Sequence, residues 1–528
     1  MLAKAKRLLG TILRRYPPEF GVRPQSFAHS IHGRGGPGPR REGVLAFQSV
    51  PDKFYFLLFG AIRQQLRQAH AGRADLLVVR SVSGAVGTGW LAELRRSAVL
   101  AWLWSTPWER AHAGVMEGVA YRSATWAHPW QDLRDWRKAG VLWQHWKTQG
   151  VDFRLLVDGV EVSDLVIDSY LRFRPAPRFD LQDPFVRRLV WQALRDVRQS
   201  RAYFAAARPV LYLTPYTTYL EHGIAVRAAL QAGVPVWSFG NLARFGKRLS
   251  LEDWHHTPAV ADYRRDFAAL DRQDERLQQA EQQLALRLSG GVDAATSYMR
   301  QSAYGNTQAL DPALYAGAVV VFLHDFYDSP HIYPDLVFPD FWQWACSTIE
   351  ALEAAGCTYY LKPHPNQIAL SRAVLDDLAR QYPRLRWLPS DVSNVQLARA
   401  GMACGVTVYG TVAHELAYLG VPTIGCARHP HHAFDFCRTA RSRAEYRAML
   451  QAPAMLPVPK DEMRRQALAY YYMHNMAGSP DARTLCDAFV KFWRDCNTGE
   501  VTEAGVAAGF RGLVDLPAFA RFVDALVP

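Results

Sequence analysis

Two series of short apolar runs, each run bounded by turn residues and followed by a stretch of helical pattern, constrain this chain more than any other feature. The first series reads "GVLAFQSV", "ADLLVVRSV", "SAVLAWLW", "DFRLLVDG", "PVLYLTPY" and "VPVWSFG", beginning near residue 44. The second reads "AGAVVVFLHDF", "GCTYYLKPHP", "LRWLPSD", "GMACGVTVYGT" and "VPTIGCA". Near-continuous apolar strands alternating with helices imply parallel sheets covered on both faces, so the expectation is two α/β units in tandem. Residues 271–291, "DRQDERLQQAEQQLALRLSGG", read as a charged helix with a Gly-Gly stop, expected on the outside of the first unit. An internal echo supports duplication. "YTTYLEHGIAVRAALQAGVPVWSFG" (216–240) and "YGTVAHELAYLGVPTIG" (409–425) both run strand end, Tyr-x-Thr, helix, Gly-Val-Pro, strand. Ligands of open α/β sheets bind at the carboxyl ends of the strands, where both Tyr-x-Thr turns fall.

The size of the chain agrees with this reading. At 528 residues it exceeds one ordinary core and suits two domains of roughly 200 to 300 residues. Its 49% hydrophobic and 21% charged residues are those of a globular protein, and no apolar run approaches the ~20 residues that cross a bilayer. The start lacks a long apolar segment with a cleavage site, so a cytoplasmic protein is expected. Residues 1–15 set Leu2, Leu8, Leu9, Ile12 and Leu13 against Lys4, Lys6, Arg7, Arg14 and Arg15. That pattern suits an amphipathic helix on an anionic membrane, and equally a frayed basic terminus. "HGRGGPGPRREG" (32–43) reads as a linker or a mobile loop; it lacks the Lys-Ser/Thr ending of a P-loop. Seven cysteines with no CxxC spacing argue against a disulfide framework and a zinc ribbon. The net charge of +12 calls for an anionic partner, yet no nucleic-acid-binding motif is present and none is expected to bind.

Three turns carry the chemistry. In "YLKPHPNQ" (360–367), Pro363 and Pro365 fix the backbone after a strand, so Lys362, His364 and Asn366 project in set directions, suited to a phosphate. In "VTVYGTVAHELAYLGVPTI", Val406–Tyr409 reads as a strand and Val412–Leu419 as a helix. Gly410 and Thr411 at the junction could hold a phosphate, and Glu415 could reach a ribose hydroxyl. The plainer alternative makes Thr411 a cap and Glu415 a solvated side chain. "SDVSNVQLARAG" (390–401) offers Asp391 and Ser393 to a base or ribose, with Asn394 a possible cap and Asp391 an alternative one.

A Lys-Pro-His-Pro turn, then a Ser-Asn turn, then "VYGTVAHELAYLGVPTI" resembles the nucleotide-binding half of GT-B glycosyltransferases. The nearest group is that of capsule polysaccharide biosynthesis, which includes CMP-sugar-using, Kdo-transferase-like enzymes with an HP motif. "LHDFYDSPHIYPDLVFPDFWQW" (323–344), "VSDLVIDSYLRF" (162–173) and "TTYLEHGIAVRAAL" (217–230) are similar to other segments of that group. The resemblance covers roughly residues 155–440 in patches. Residues 45–150, rich in tryptophan, match nothing in it. It implies two Rossmann-like doubly wound domains facing an interdomain cleft. It divides the chain into a basic segment and loop (1–43), an acceptor-side domain (44–310), a nucleotide-sugar domain (311–495) and a helical tail (496–528). It implies that Lys362, His364 and Pro365 contact the nucleotide phosphate, with Asn366 beside them. Ser393, Tyr409, Gly410, Thr411 and Glu415 would line the nucleotide pocket, and His324, Asp325 and Asp328 would face the cleft. The fold uses no DxD motif, so neither a metal nor a cofactor is implied. For the acceptor base, Asp168 is preferred, then Glu221 and His222; Arg172 would pair with Asp168 and lower its pKa, unless the two form a purely structural salt bridge. The histidines at 429, 431 and 432 are too crowded for one tetrahedral ion and read as a loop closing over donor sugar or base. The expected partners are a nucleotide-sugar donor and a glycan or lipid-linked glycan acceptor, at the inner face of the cytoplasmic membrane. A sugar-nucleotide epimerase, a polyol-phosphate transferase and a non-catalytic glycan- or nucleic-acid-binding protein are the alternatives.

Overall fold

A computed structural model of the chain describes residues 43–49, 52–67, 72–79, 116, 119–122, 128–149, 153–174, 176–258, 261–293, 310–364, 369–389 and 391–527. The basic terminus at 1–15, most of the Gly/Pro loop and the run "SAVLAWLW" lie outside these residues, as do Pro365 and Asn366. The chain divides into two compact units. One takes in the chain to Ser169, Asp180–His256 and the residues from Ser479 on; the other takes in Tyr170–Phe179 and Thr257–Gly478. The helix Gln273–Leu288 belongs to the second of these units and the helix Pro480–Asn497 to the first.

In the first unit, β1 (Leu45–Gln48), β2 (Ala74–Val78), β3 (Val119–Arg122), β6 (Leu211–Thr214), β7 (Val236–Ser238) and β8 (Lys247–Leu249) form one sheet. Between β3 and β6 the chain also makes a separate hairpin of β4 (Leu156–Val157) and β5 (Val160–Glu161). The run "DFRLLVDG" was expected to enter the sheet. It turns back instead, because Asp158 and Gly159 both have positive φ, 47° and 83°. The sheet order is β3-β2-β1-β6-β7-β8, with only β7–β8 antiparallel. Leu45 and Phe47 face one apolar cluster and Ala46 the other, the period-2 alternation of a strand buried on both sides. The first cluster holds the helix Lys53–Leu66, capped by Asp52, whose carboxylate accepts from Phe54 N at 2.7 Å. It also holds the C-terminal helices. Phe489 and Phe492 pack against Phe54 with tilted rings, centroids 5.4 and 4.9 Å away. Each ring buried this way contributes about 1.5–3 kcal/mol, which is what ties the last 50 residues to this sheet.

In the second unit, β9 (Val319–Phe322), β10 (Tyr359–Lys362), β11 (Cys404–Val406), β12 (Thr423–Gly425) and β13 (Cys437–Thr439) run parallel in the order β10-β9-β11-β12-β13. The expected strand in "LRWLPSD" survives as a single bridge from Trp387 to Leu361, on the outer side of β10. With that bridge counted as a third strand, both sheets follow the same 3-2-1-4-5-6 order. The strand run Val406–Tyr409 shortens to Cys404–Val406, leaving Thr407 to Thr411 as the turn. The charged helix Gln273–Leu288 was expected outside the first unit. It packs Leu277, Ala280 and Leu284 into a cluster with Met463, Ala467 and Tyr470 of the helix Lys460–Asn475 in the second unit.

Candidate functional site

Both sheets reverse direction at one place. In the second unit the chain runs from β9 to β10 on one side and later returns to β11 on the other, so a crevice opens at the carboxyl ends of β9 and β11. His324 follows β9 and Thr407 follows β11, and the two meet across this crevice, Nε2 to Oγ1 at 3.2 Å. The His324 ring stacks on Phe341 at 4.7 Å and touches Tyr409 at 4.9 Å. Burial, with the field of His364 added, pushes its pKa down to about 3, so the ring is neutral. Gly410 N donates to the Thr407 hydroxyl at 3.1 Å. A Cβ at Gly410 would lie 2.7 Å from that oxygen, which explains the glycine.

Lys362 ends β10 beside Phe322 of β9, with its ammonium 5.7 Å from the ring centroid. Burial lowers its pKa, and Glu415 and Asp391 oppose the shift. His364, past Pro363, is likewise lowered by burial, while Asp325 and Asp328 raise it and Lys362 lowers it further. Asp325 is fixed by Tyr327 N at 3.0 Å and by the buried Ser371 hydroxyl at 2.7 Å. Asp328 accepts from Ser329 N at 2.9 Å. Desolvation and the field of Asp325 push its carboxyl toward the neutral form, against the pull of Arg172 and His364. Arg172 reaches the Tyr327 carbonyl at 3.5 Å.

Other residues singled out from the sequence sit deeper. Ser393 is a buried helix cap in a full capping box with Gln396, so its hydroxyl is spent on the backbone, and Asp391 and Asn394 are not the caps. Glu415 is buried; its carboxylate meets Arg287 at 2.7 Å and Asn394 at 2.5 Å. Thr411 is exposed, has helical dihedrals and makes no side-chain cap bond, and the helix it precedes, Val412–Tyr418, has only seven residues. Tyr409 is buried, its hydroxyl 3.3 Å from the Ser329 carbonyl. A row of rings, His324, Tyr409, Tyr333 and His429, then crosses the carboxyl edge with centroids 4.7 to 4.9 Å apart. Beside it, a cleft of about 1100 Å³ is lined by Leu336, Val337, Arg428, His432, Thr439 and Arg441, among others. Of the three crowded histidines, His432 lines this cleft, while His429 and His431 are buried. Among the described residues no group of three or more His, Cys, Asp or Glu side chains is placed to hold a metal.

In the first unit the crevice lies between β1 and β6. Glu221 and His222 stand there, in the first turn of the helix Tyr219–Gln231. Glu221 is half-buried, whereas His222 is buried and Asp168 is 1% exposed within the helix Ser163–Phe173. Thr407, Ser371 and Gln48, which ends β1, had no signal in the sequence, because each is defined by a partner distant along the chain.

No family model matches the chain, and no curated protein matches it. Among solved structures it is similar to a UDP-GlcNAc 2-epimerase from Methanocaldococcus jannaschii in complex with UDP-GlcNAc and UDP, at 7% identity, covering 81% of this chain and 97% of that one, with a TM-score of 0.26. It is also similar to KpsC of Thermosulfurimonas dismutans, a beta Kdo 2,4 transferase, at 13% identity over 50% of this chain and 79% of that one, TM-score 0.29. A third is the spinosyn rhamnosyltransferase SpnG complexed with spinosyn aglycone, at 10% identity over 91% and 99%, TM-score 0.22. The assignment of two Rossmann-like, doubly wound α/β domains rests on the chain's own strand orders. Among the described residues no helix is long and apolar enough to cross a membrane.

Proposed function

We propose that this protein is a glycosyltransferase of the GT-B type, moving an acidic, Kdo-like sugar from a CMP donor to a bacterial surface polysaccharide or glycolipid. The observation that carries the reading is the crevice between β9 and β11. There a neutral His324 bonded to Thr407 lies beside the turn that carries the Lys362 ammonium and the His364 imidazole. In sugar transfer the bond from the anomeric carbon to the phosphate oxygen breaks, the acceptor oxygen takes its place, and negative charge collects on the leaving phosphate. A partly desolvated lysine at a strand end stabilises that charge more strongly than a hydrated one would. Asp325 and Asp328 are suited to sugar hydroxyls, and the cleft beside β13 has room for the rest of the donor. The proton of the acceptor hydroxyl goes to Glu221, which has the access that Asp168 lacks. A basic surface favours an anionic, lipid-linked acceptor.

Thermal shift against CMP, UDP and GDP sugars tests the donor. A CMP sugar is expected to raise Tm, and His364→Ala to weaken that shift. Stabilisation by UDP sugars alone would sink the CMP assignment, and no shift with any nucleotide would sink the enzyme reading.

A further inference from the structure

The buried end of β1 holds an unusual side chain for a sheet interior. Gln48 is 0% exposed, and its amide is engaged on both sides. On one side it faces the Glu221 carbonyl at 2.7 Å and His222 Nδ1 at 2.8 Å; on the other, the Tyr212 hydroxyl at 3.0 Å and the Thr214 hydroxyl at 2.7 Å. A carbonyl can only accept, so the amide atom facing Glu221 must be the NH2 group. Its two hydrogens then go to the Glu221 carbonyl and to His222 Nδ1. Nδ1 is therefore an acceptor, and the ring proton sits on Nε2. That nitrogen lies 3.4 Å from Glu221 Oε1.

We propose that Gln48 is a positioning residue that locks His222 as its neutral Nε2–H tautomer, so that His222 orients Glu221 as the general base and does not serve as the base itself. The proposal rests on the reading of Glu221 as base. Protonating His222 would place an N–H on Nδ1 against the amide N–H of Gln48 while the Glu221 carbonyl holds that amide from turning. A proton on Nδ1 is therefore incompatible with the hydrogen bond from Gln48. The contact to Glu221 is long for a hydrogen bond, as catalytic contacts often are before substrate is bound.

The local backbone supports a built site. Tyr219, two residues before Glu221, has φ of 60°, a left-handed conformation that is strained for a bulky residue and gathers at functional positions. Gly223, next to His222, could not be larger: a Cβ there would fall 2.4 Å from Leu165 Cδ2 and 2.6 Å from the Thr217 carbonyl. The helix start is thus pressed onto its neighbours, and the two side chains have little freedom to drift. The titratable groups around His222 are Glu221 on its own helix, Tyr216 with its ring 5.7 Å away, and His256, which burial pushes down to about 3, with Lys247 and His222 adding smaller effects. The crevice is the switch point of the first sheet, where a ligand is expected on topological grounds alone.

The tautomer is measurable without any turnover. Protein labelled with ¹⁵N in its histidine rings, with His222→Gln used to assign the signal, is expected to show His222 unprotonated at Nδ1 and protonated at Nε2 at pH 7. A protonated Nδ1 would overturn the lock whatever the enzyme does. In the transfer assay, Gln48→Met should lower kcat by roughly tenfold to 10²-fold, the range for a misplaced catalytic group, with donor KM unchanged, and should add an acidic limb to the pH profile as His222 becomes free to protonate. Gln48→Glu presents a carboxylate that accepts a hydrogen bond from Nδ1–H, inverts the tautomer and should be slower still. Loss of folded protein in these variants shows as lost amplitude with an unaltered pH profile and would overturn the positioning role. Full kcat in Gln48→Met would do the same. If no donor is ever turned over, the enzyme reading fails while the ring measurement still decides the lock.

Discussion

Gly410 is the residue whose replacement isolates one interaction of the crevice. A methyl at this position meets the Thr407 hydroxyl at 2.7 Å, and that hydroxyl also joins His324 to β11. Gly410→Ala must therefore displace Thr407 or its own turn, and strain of this kind costs about 1–3 kcal/mol. Nucleotide-induced stabilisation should fall with it. In a Thr407→Ala background the obstructing oxygen is gone, so the same substitution should cost less. Denaturation midpoints of the two single variants and the double variant give the coupling energy directly. Equal costs in both backgrounds would show that the glycine serves something other than this contact. Lys362, His364 and Gly410 could be singled out from sequence because each stands next to a proline or at a strand-to-helix junction. Thr407 could not, since nothing in "GVTVYG" says that its hydroxyl faces a histidine 83 residues earlier.

At the scale of elements, the 3-10 turn Pro430–Ala433, the helix Val412–Tyr418 and the helix Lys460–Asn475 enclose a buried cluster of His414, His429, His431 and Tyr470. His429 Nδ1 accepts from His431 N at 3.2 Å; both ring nitrogens of His414 and of His431 find no hydrogen-bond partner among the described residues. Burial pushes His431 down to about 3 and His414 and His429 well below their ordinary value of 6.5. These rings are neutral in the folded chain and take up protons in the unfolded one below about pH 6.5. The unfolded state then binds more protons, so stability falls as pH drops from about 6.5 toward 3, by up to ~1.4 kcal/mol per pH unit for each ring. Urea midpoints measured from pH 7.5 to 4.5 should show this slope. His431→Leu should flatten it by about one proton and leave stability at pH 7 equal or higher, because two unsatisfied buried nitrogens disappear. An unchanged slope would mean that His431 titrates normally. The other titratable groups acting on these rings are Arg287, His432 and His474, which add to the depression, and none is removed by the substitution.

For the whole molecule, the tandem α/β plan was legible because parallel strands buried on both faces write themselves as apolar runs, and the repeated Tyr-x-Thr and Gly-Val-Pro elements occupy the same fourth-to-fifth strand connection of both sheets. Short edge strands were not legible. β8 is "KRL" and β13 is "CRT", three residues each, with charged side chains that suit an edge and resemble a loop. Nor did the sequence say where an amphipathic helix docks. Leu277, Ala280 and Leu284 announce an apolar stripe but not its partner, and the same is true of the C-terminal segment, set apart by the sequence reading as a tail. That segment instead completes the core of the first unit, where Phe489 contacts Phe54 and Phe245 at 5.4 and 5.2 Å. Phe489 is 0% exposed, so Phe489→Ala should cost about 3–5 kcal/mol through lost burial and the cavity left behind. The loss belongs to one unit only. Hydrogen exchange should therefore accelerate in peptides from Leu45–Leu66, whose strand and helix share the Phe489 cluster, and stay at the parent rate in peptides from Val319–Phe326, which pack in a different one. Equal acceleration in both would show that the two units unfold as a single cooperative body.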